Sequence, residues 1–181
     1  MFEGEGVIYQ NCYIVDNLDQ ALAAWTTNIG AGPFFVQRDL KLEIEYRGKP
    51  SPIHIDLAIG QAGAVHIELI EVHSKNPTVY TDLRPKGHGG FHHVGLLAKD
   101  FEGAIAAYRK AGFEVGMKGM FGQTPFAYID TCSSLGFFTE FHEDTPEIRG
   151  MFKRIAAAQI GWDKSRPIRP MAEILPWLAQ S

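Results

Sequence analysis

Apolar and polar positions follow one arrangement along this chain, and the arrangement occurs twice. Between Gln10 and Trp25 an apolar, strand-like stretch ends at Val15 and a polar break follows at Asp16-Asn17. Leu18, Ala21, Leu22 and Trp25 then recur at the spacing of one helix face. His93 to Tyr108 repeats this register for register, with Asp100 at the break and Phe101, Ala104, Ile105 and Tyr108 on the helix face. A later segment is doubled too: Glu68-Leu69-Ile70-Glu71 is answered by Glu140-Phe141-His142-Glu143. An internal duplication accounts for both correspondences.

The first copy predicts a strand over Val7 to Val15, a helix capped by Asn17 and stopped near Gly30, and strands over Pro33 to Arg38, Ile53 to Ile59 and Ala64 to Val72. The last two strands are joined by a turn at Gly60 to Gly63. The second copy predicts a strand over Phe91 to Ala98, a helix between Asp100 and Gly112, and strands over Phe113 to Met117, Pro125 to Asp130 and Gly136 to His142. The order is β-α-β-β-β twice, an α+β fold.

Gln10 and His93 are 83 positions apart and Glu68 and Glu140 are 72 apart, so the first copy holds 11 extra residues. They fall in Asp39 to Pro52, where Arg47-Gly48-Lys49-Pro50 marks a long connection, either a lid or binding loop or an ordinary hairpin tip. One domain over 1–181 is expected, with modules at 7–75 and 91–144 and a linker without continuous structure at 76–90. In the C-terminal segment, 145–181, Ile148, Phe152 and Ile155 predict a helix ended by Gly161, and Pro167, Pro170 and Pro176 break the remainder into an irregular arm. Its apolar anchors Trp162, Ile174, Leu175, Trp177 and Leu178 must pack on something, either the chain's own body or a second subunit.

Composition narrows the function classes. The 181 residues are 45% hydrophobic and 21% charged, the balance of a soluble globular protein, and no apolar run approaches the roughly 18 residues of a membrane span. The acidic start Met1-Phe2-Glu3-Gly4-Glu5 lacks a secretory pattern, so the cytoplasm is the expected location. Cys12 and Cys132 belong to no CxxC pair, which excludes a disulfide framework and a thiolate zinc knuckle. A net charge of −4 argues against nucleic acid as the main partner. Charge is uneven, however: Thr145 to Ser181 carries +3 and the rest −7. Arg149, Lys153 and Arg154 lie at i, i+4 and i+5 of the predicted helix. That strip, or the Arg38 to Lys49 loop, would meet an anionic part of a substrate; the alternative is a solvated surface.

Residues at i and i+2 of a strand share a face, so Glu68 lies with His66 and Ile70, Glu140 with Phe138 and His142, Gln10 with Cys12, and His93 with Gly95. If the two modules form a cupped surface, Gln10, Glu68, His93 and Glu140, at equivalent points of the two copies, converge. Buried carboxylates need a compensating charge, which a divalent cation supplies. His93 is the repeat partner of Gln10, and His92 is expected on the opposite face. His66 and His142 are reserve candidates, placed at the pocket or its rim.

In these residues and in the duplicated β-α-β-β-β order over residues 7 to 144, the chain resembles the glyoxalase and vicinal-oxygen-chelate superfamily. That superfamily includes glyoxalase I, methylmalonyl-CoA epimerase, extradiol dioxygenases and bleomycin-resistance binding proteins. The resemblance implies two tandem βαβββ modules forming a cupped metal site, with Gln10, Glu68, His93 and Glu140 as ligands of one divalent ion (Zn, Ni, Co, Mn or Mg). Gln10 with the two glutamates looks like the glyoxalase I set, and Phe91-His92-His93-Val94-Gly95 looks like a segment of methylmalonyl-CoA epimerase. It further implies proton abstraction α to a carbonyl or thioester, with Glu140 as ligand and base and Glu68 as its opposite partner. The substrate would be a 2-oxo compound, a hemithioacetal or an acyl-CoA, and the assembly a homodimer. The alternatives are an Fe(II) ring-cleaving dioxygenase, which needs a second histidine, and a non-catalytic binder whose cavity is lined by the chain's aromatic residues. The basic C-terminal arm has no counterpart in the minimal module pair.

Overall fold

A computed structural model describes residues 7–175, so Trp177 and Leu178 lie outside the described residues. The first module contributes β1 (Gln10–Val15), α1 (Leu18–Ala24), β2 (Phe34–Leu42), β3 (Ile44–Tyr46), β4 (Lys49–Pro50), β5 (Ile53–Ala62) and β6 (Val65–Val72). After α2 (Val79–Leu83), the second contributes β7 (Gly90–Ala98), α3 (Phe101–Lys110), β8 (Val115–Phe121), β9 (Thr124–Ile129), α4 (Cys132–Leu135) and β10 (Phe138–Glu143). Helix α5 (Pro146–Gln159) and β11 (Ile168–Pro170) follow. All eleven strands belong to one sheet, ordered β11-β2-β5-β6-β1-β7-β10-β9-β8-β3-β4. The modules therefore meet through their first strands, β1 and β7, which run antiparallel.

Period-2 alternation separates the sheet into two faces. Leu18 and Leu22 of α1 pack on Ile67 and Leu69 of β6, while Phe101, Ala104 and Ile105 of α3 pack on Ala127, Ile129 and Phe141. The opposite, concave face gathers Ile53, Ile55, Ile70, Met117, Phe126 and Phe138. The helix starts read at Asn17 and Asp100 are real caps, accepting from the Gln20 and Gly103 amides, and α5 is capped by Thr145, which accepts from Ile148.

Four details refine the sequence expectations. The β5–β6 turn sits at Gly63, in the left-handed region, and the strand runs through Gly60, where a Cβ would lie 2.8 Å from the Phe34 ring. The segment 76–90 is not free of structure: Thr78 caps α2 by accepting from the Tyr80 amide, and Val79 and Tyr80 are buried in the concave core. The apolar anchors Ile174 and Leu175 join Met171 and α5 on the chain's own body. Finally, the 11 extra residues are a clasp. The outer strand of the first module, β2, continues past Glu43 into β3, which pairs with β8, the outer strand of the second, through Ile44↔Gly119 and Tyr46↔Met117. Arg47, at the turn of the β3–β4 hairpin, bonds Asp82, Glu114 and Asp130 at 3.1, 2.6 and 2.8 Å.

Arg38 is likewise held by its own body, pairing with Asp19 and, at 2.9 Å, with Asp56. The loop's guanidinium groups are thus tied to carboxylates of the chain. Arg47→Ala should cost about 1 to 2 kcal/mol, because three carboxylates lose a shared donor, and lower Tm by roughly 3 to 8 °C. A thermal melt unchanged from wild type would show that the clasp does not hold the modules.

Candidate metal and substrate site

The strand registers place the site residues on a small grid. Across β6, β1, β7 and β10, one row reads His66, Gln10, Gly95, Glu140 and the next reads Glu68, Cys12, His93, Phe138. Gln10, Glu68, His93 and Glu140 occupy alternate squares. The squares between them are nearly empty, since Cys12 is small and Gly95 has no side chain. A Cβ on Gly95 would stand 2.9 Å from the Tyr9 ring and 3.0 Å from the Gln10 Cβ, so glycine permits the close approach.

Over this gap the four side chains meet. Gln10 Nε2 donates to Glu68 Oε2 at 3.0 Å and to Glu140 Oε2 at 3.3 Å. The same two oxygens lie 3.3 and 3.2 Å from His93 Nε2. All four residues are buried, Glu68 at 8% and Glu140 at 3% exposure, so water does not screen the two carboxylates. Cys12, absent from the sequence-based set, brings its sulfur within 4.8 Å of ligand atoms of Glu68 and His93. Its position two residues after Gln10 was the available signal. Burial, then the charge and hydrogen bond of Glu68, push the Cys12 thiol up, so it stays protonated and donates to that carboxylate.

His92 does not face away from its neighbour. The β1–β7 register slips between Cys12 and Tyr13, which pair with His93 and Phe91, and His92 is the extra residue of a β-bulge. The bulge turns both imidazoles the same way, with Nδ1 of His92 2.9 Å from Nδ1 of His93. His92 Nε2 lies 2.9 Å from the Val79 carbonyl, and its ring stacks on Phe138. Burial and the His93 charge push His92 down to about 3, so it is neutral. A carbonyl only accepts, so the His92 proton is on Nε2; its bare Nδ1 then accepts from the Nδ1–H of His93. Nε2 of His93 is left facing the carboxylates.

Electrostatics of the cluster are set by this arrangement. Burial pushes His93 down, but Glu140 and Glu68 more than reverse it and raise the imidazole to about 9. Burial pushes Glu140 up, but the charges of His142 and His93, aided by the Tyr128 hydroxyl, hold it at about 2. Tyr80 and Tyr128 hydroxyls meet at 3.2 Å, extending this chain of donors into α2. His142 Nδ1 lies 2.7 Å from the Tyr9 hydroxyl and 3.7 Å from Glu140. His66 instead lines a separate groove with Tyr9, Leu97, Lys99 and Lys153, and burial pushes it down to about 4.

A divalent ion fits these residues. Nε2 of His93 is buried and makes no formed hydrogen bond: the carboxylate oxygens are close, but neither lies in line with it. An unpaired ring nitrogen beside two carboxylates, an amide and two empty squares is a donor set for a hard or borderline cation.

Above the cluster is a narrow pocket with a cavity volume of about 50 Å³. One wall is Leu40, Leu42, Ile55, Leu57 and Ile59, the other Phe121, Phe126 and Tyr128. Helix α5 closes it with Ile148, Met151 and Phe152. Phe34 is core beneath α1, and Phe138 is core beside His92. The helix's cations point elsewhere: Arg149 pairs with Asp144, and Arg154 donates to the Ile174 carbonyl.

The family model of the Glyoxalase/Bleomycin resistance protein/Dioxygenase superfamily matches residues 9–128. No curated protein matches the chain by sequence. Among solved structures, a hypothetical protein of Bacillus halodurans is 17% identical with a TM-score of 0.55, over 79% of this chain and 96% of its own. A variant of Streptomyces coelicolor methylmalonyl-CoA epimerase, in complex with 2-nitronate-propionyl-CoA, is 16% identical with a TM-score of 0.54 over 79% and 97%. Mycobacterium tuberculosis methylmalonyl-CoA epimerase is 15% identical with a TM-score of 0.50 over 78% and 90%. At such identities the likeness concerns the fold. With the matched model covering well over half of its length, the chain belongs to the Glyoxalase/Bleomycin resistance protein/Dioxygenase superfamily.

Proposed function

We propose that the chain is an enzyme that removes a proton α to a carbonyl or thioester, with a divalent metal ion held by Gln10, Glu68, His93 and Glu140. The observation that carries this reading is the unpaired Nε2 of His93, buried against two carboxylates that line the floor of an apolar pocket. When bound, the ion supplies Lewis acidity at neighbouring substrate oxygens. The acyl-CoA compounds bound in two epimerase neighbours support an acyl thioester among the candidate substrates. An iron dioxygenase site would need a second histidine ligand; His66 lines another groove, and the nearer His142 has its Nδ1 engaged by the Tyr9 hydroxyl.

The residues divide the work by position. His92 fixes the tautomer of His93, so that Nε2 is the free nitrogen. Gln10 adds a neutral donor and no third negative charge. Glu140 faces the pocket and takes the proton, with Glu68 opposite it across Gln10. The imidazole of His93 must lose its proton to become a ligand. Apolar walls keep competing water away from the base.

Glu140→Gln should lower exchange of the substrate α-proton with D₂O roughly 10²- to 10⁴-fold while the variant still binds zinc, since an amide ligates but takes no proton. Wild-type exchange, followed by NMR, would remove Glu140 from the role of base. Zinc binding should release a proton from His93, because the metal-free group, with a pKa of about 9, is protonated at neutral pH. Affinity should therefore rise up to about tenfold per unit from pH 7 and level off above about 9. Calorimetry in buffers of different ionisation enthalpy checks this, and a pH-independent affinity would contradict it.

We propose a homodimer on the family's habit alone, since the arm packs on its own body, and a cytoplasmic location on the character of the sequence alone. Sedimentation showing only monomer at micromolar concentration would overturn the dimer.

A further inference from the structure

The main pocket is unusual in what its walls lack. Among the described residues that line it there is no lysine and no arginine. The polar groups are confined to the floor, where Gln10, Glu68, Glu140 and His142 stand with the hydroxyls of Tyr80 and Tyr128. The imidazoles at that floor are already committed: His93 stands against both carboxylates, and His142 stands against Glu140 and is engaged by Tyr9. A second anionic group on a substrate would therefore meet only hydrocarbon above the floor, and burying an uncompensated charge there is costly.

The cover comes from outside the duplicated modules. Helix α5 turns Ile148, Met151, Phe152 and Ile155 inward and its cations outward, and Met171 of the arm adds to the same lining. Phe152 is fixed by the Tyr9 ring at 4.4 Å and the His66 ring at 4.9 Å, so this roof is a packed surface. Facing it are Leu40 and Leu42 of β2.

From these observations we infer that the substrate carries an uncharged hydrophobic body, a branched alkyl or aryl group, between the reacting carbonyl and solvent, and that the C-terminal helix α5 selects it. This rests on the proton-abstraction reading for the reacting end only, because an apolar cavity recognises hydrocarbon whether or not a metal is bound. A small dicarboxylate has no counter-charge in these walls.

Two binding experiments with the full chain separate the claims. The first uses metal-stripped protein and 2-naphthol, an uncharged aromatic probe followed by its own fluorescence. Saturable binding is expected, lowered at least about tenfold by Met151→Lys on the roof and by Leu42→Lys on the opposite wall, and kept by Met151→Leu. Leu42 is only half-buried, so the second charge tests the pocket even if the first unfolds the helix. The second experiment titrates zinc-loaded protein with pyruvate, phenylpyruvate and 2-oxoglutarate. Phenylpyruvate should bind about 30-fold tighter than pyruvate, and 2-oxoglutarate no tighter than pyruvate. Absence of naphthol binding, its indifference to both lysine substitutions, or a preference for 2-oxoglutarate overturns the inference. Loss of the zinc requirement for phenylpyruvate binding would count against the metal reading instead and leave the naphthol result to decide this one.

Discussion

Two carboxylates buried at the floor of one pocket set the terms for everything around them. Glu68 and Glu140 are brought within reach of the same amide and the same imidazole, and neither can share its charge with water. In the chain alone, the proton on His93 offsets part of that charge, and His142 stands beside Glu140. His92, bulged out of register, donates to Val79 and accepts from His93, so the proton that can leave is the one on the pocket side. The concave core, the tyrosine pair and the apolar roof all serve to keep this charge cluster dry and fixed.

The duplication explains why that cluster can exist in a sheet. Across the β1–β7 seam, Gln10 stands where His93 stands in the second copy, Glu68 where Glu140 stands, and Cys12 where Gly95 stands. A two-fold relation of this kind brings one set of positions to the seam from both sides. It also leaves a pair of small residues in the middle. The copies then diverged in donor type while keeping their geometry.

Much of this was legible in the sequence because it is local or periodic. The meeting of Gln10, Glu68, His93 and Glu140 follows from two signals, equivalence between copies and the two-residue strand period. The helix caps at Asn17 and Asp100 follow from single residues. What escaped was non-local. The bulge that turns His92 inward is a property of two strands 80 residues apart and has no mark in Phe91-His92-His93 itself. Tyr80 reached the site on a one-turn helix within a stretch rich in proline and glycine, where Thr78 alone announced a cap. Charge in the tail drew attention to Arg149, Lys153 and Arg154, whereas the side of that helix nearest the substrate pocket is Ile148, Met151 and Phe152. An amphipathic pattern says which face is apolar, and not which neighbour it will cover.

The clasp formed by β3 has a consequence for the order in which the molecule can be made. Ile44 finds its partner Gly119 only 75 residues later, and Arg47 waits still longer for Asp130. During synthesis from the N-terminus, the first module emerges with an open strand edge, and Arg47 meets only Asp82 before the second module supplies β8, Glu114 and Asp130. Half of this duplicated protein is therefore not a finished unit in its own right, and a chaperone acting on the nascent chain would find its edge at β3.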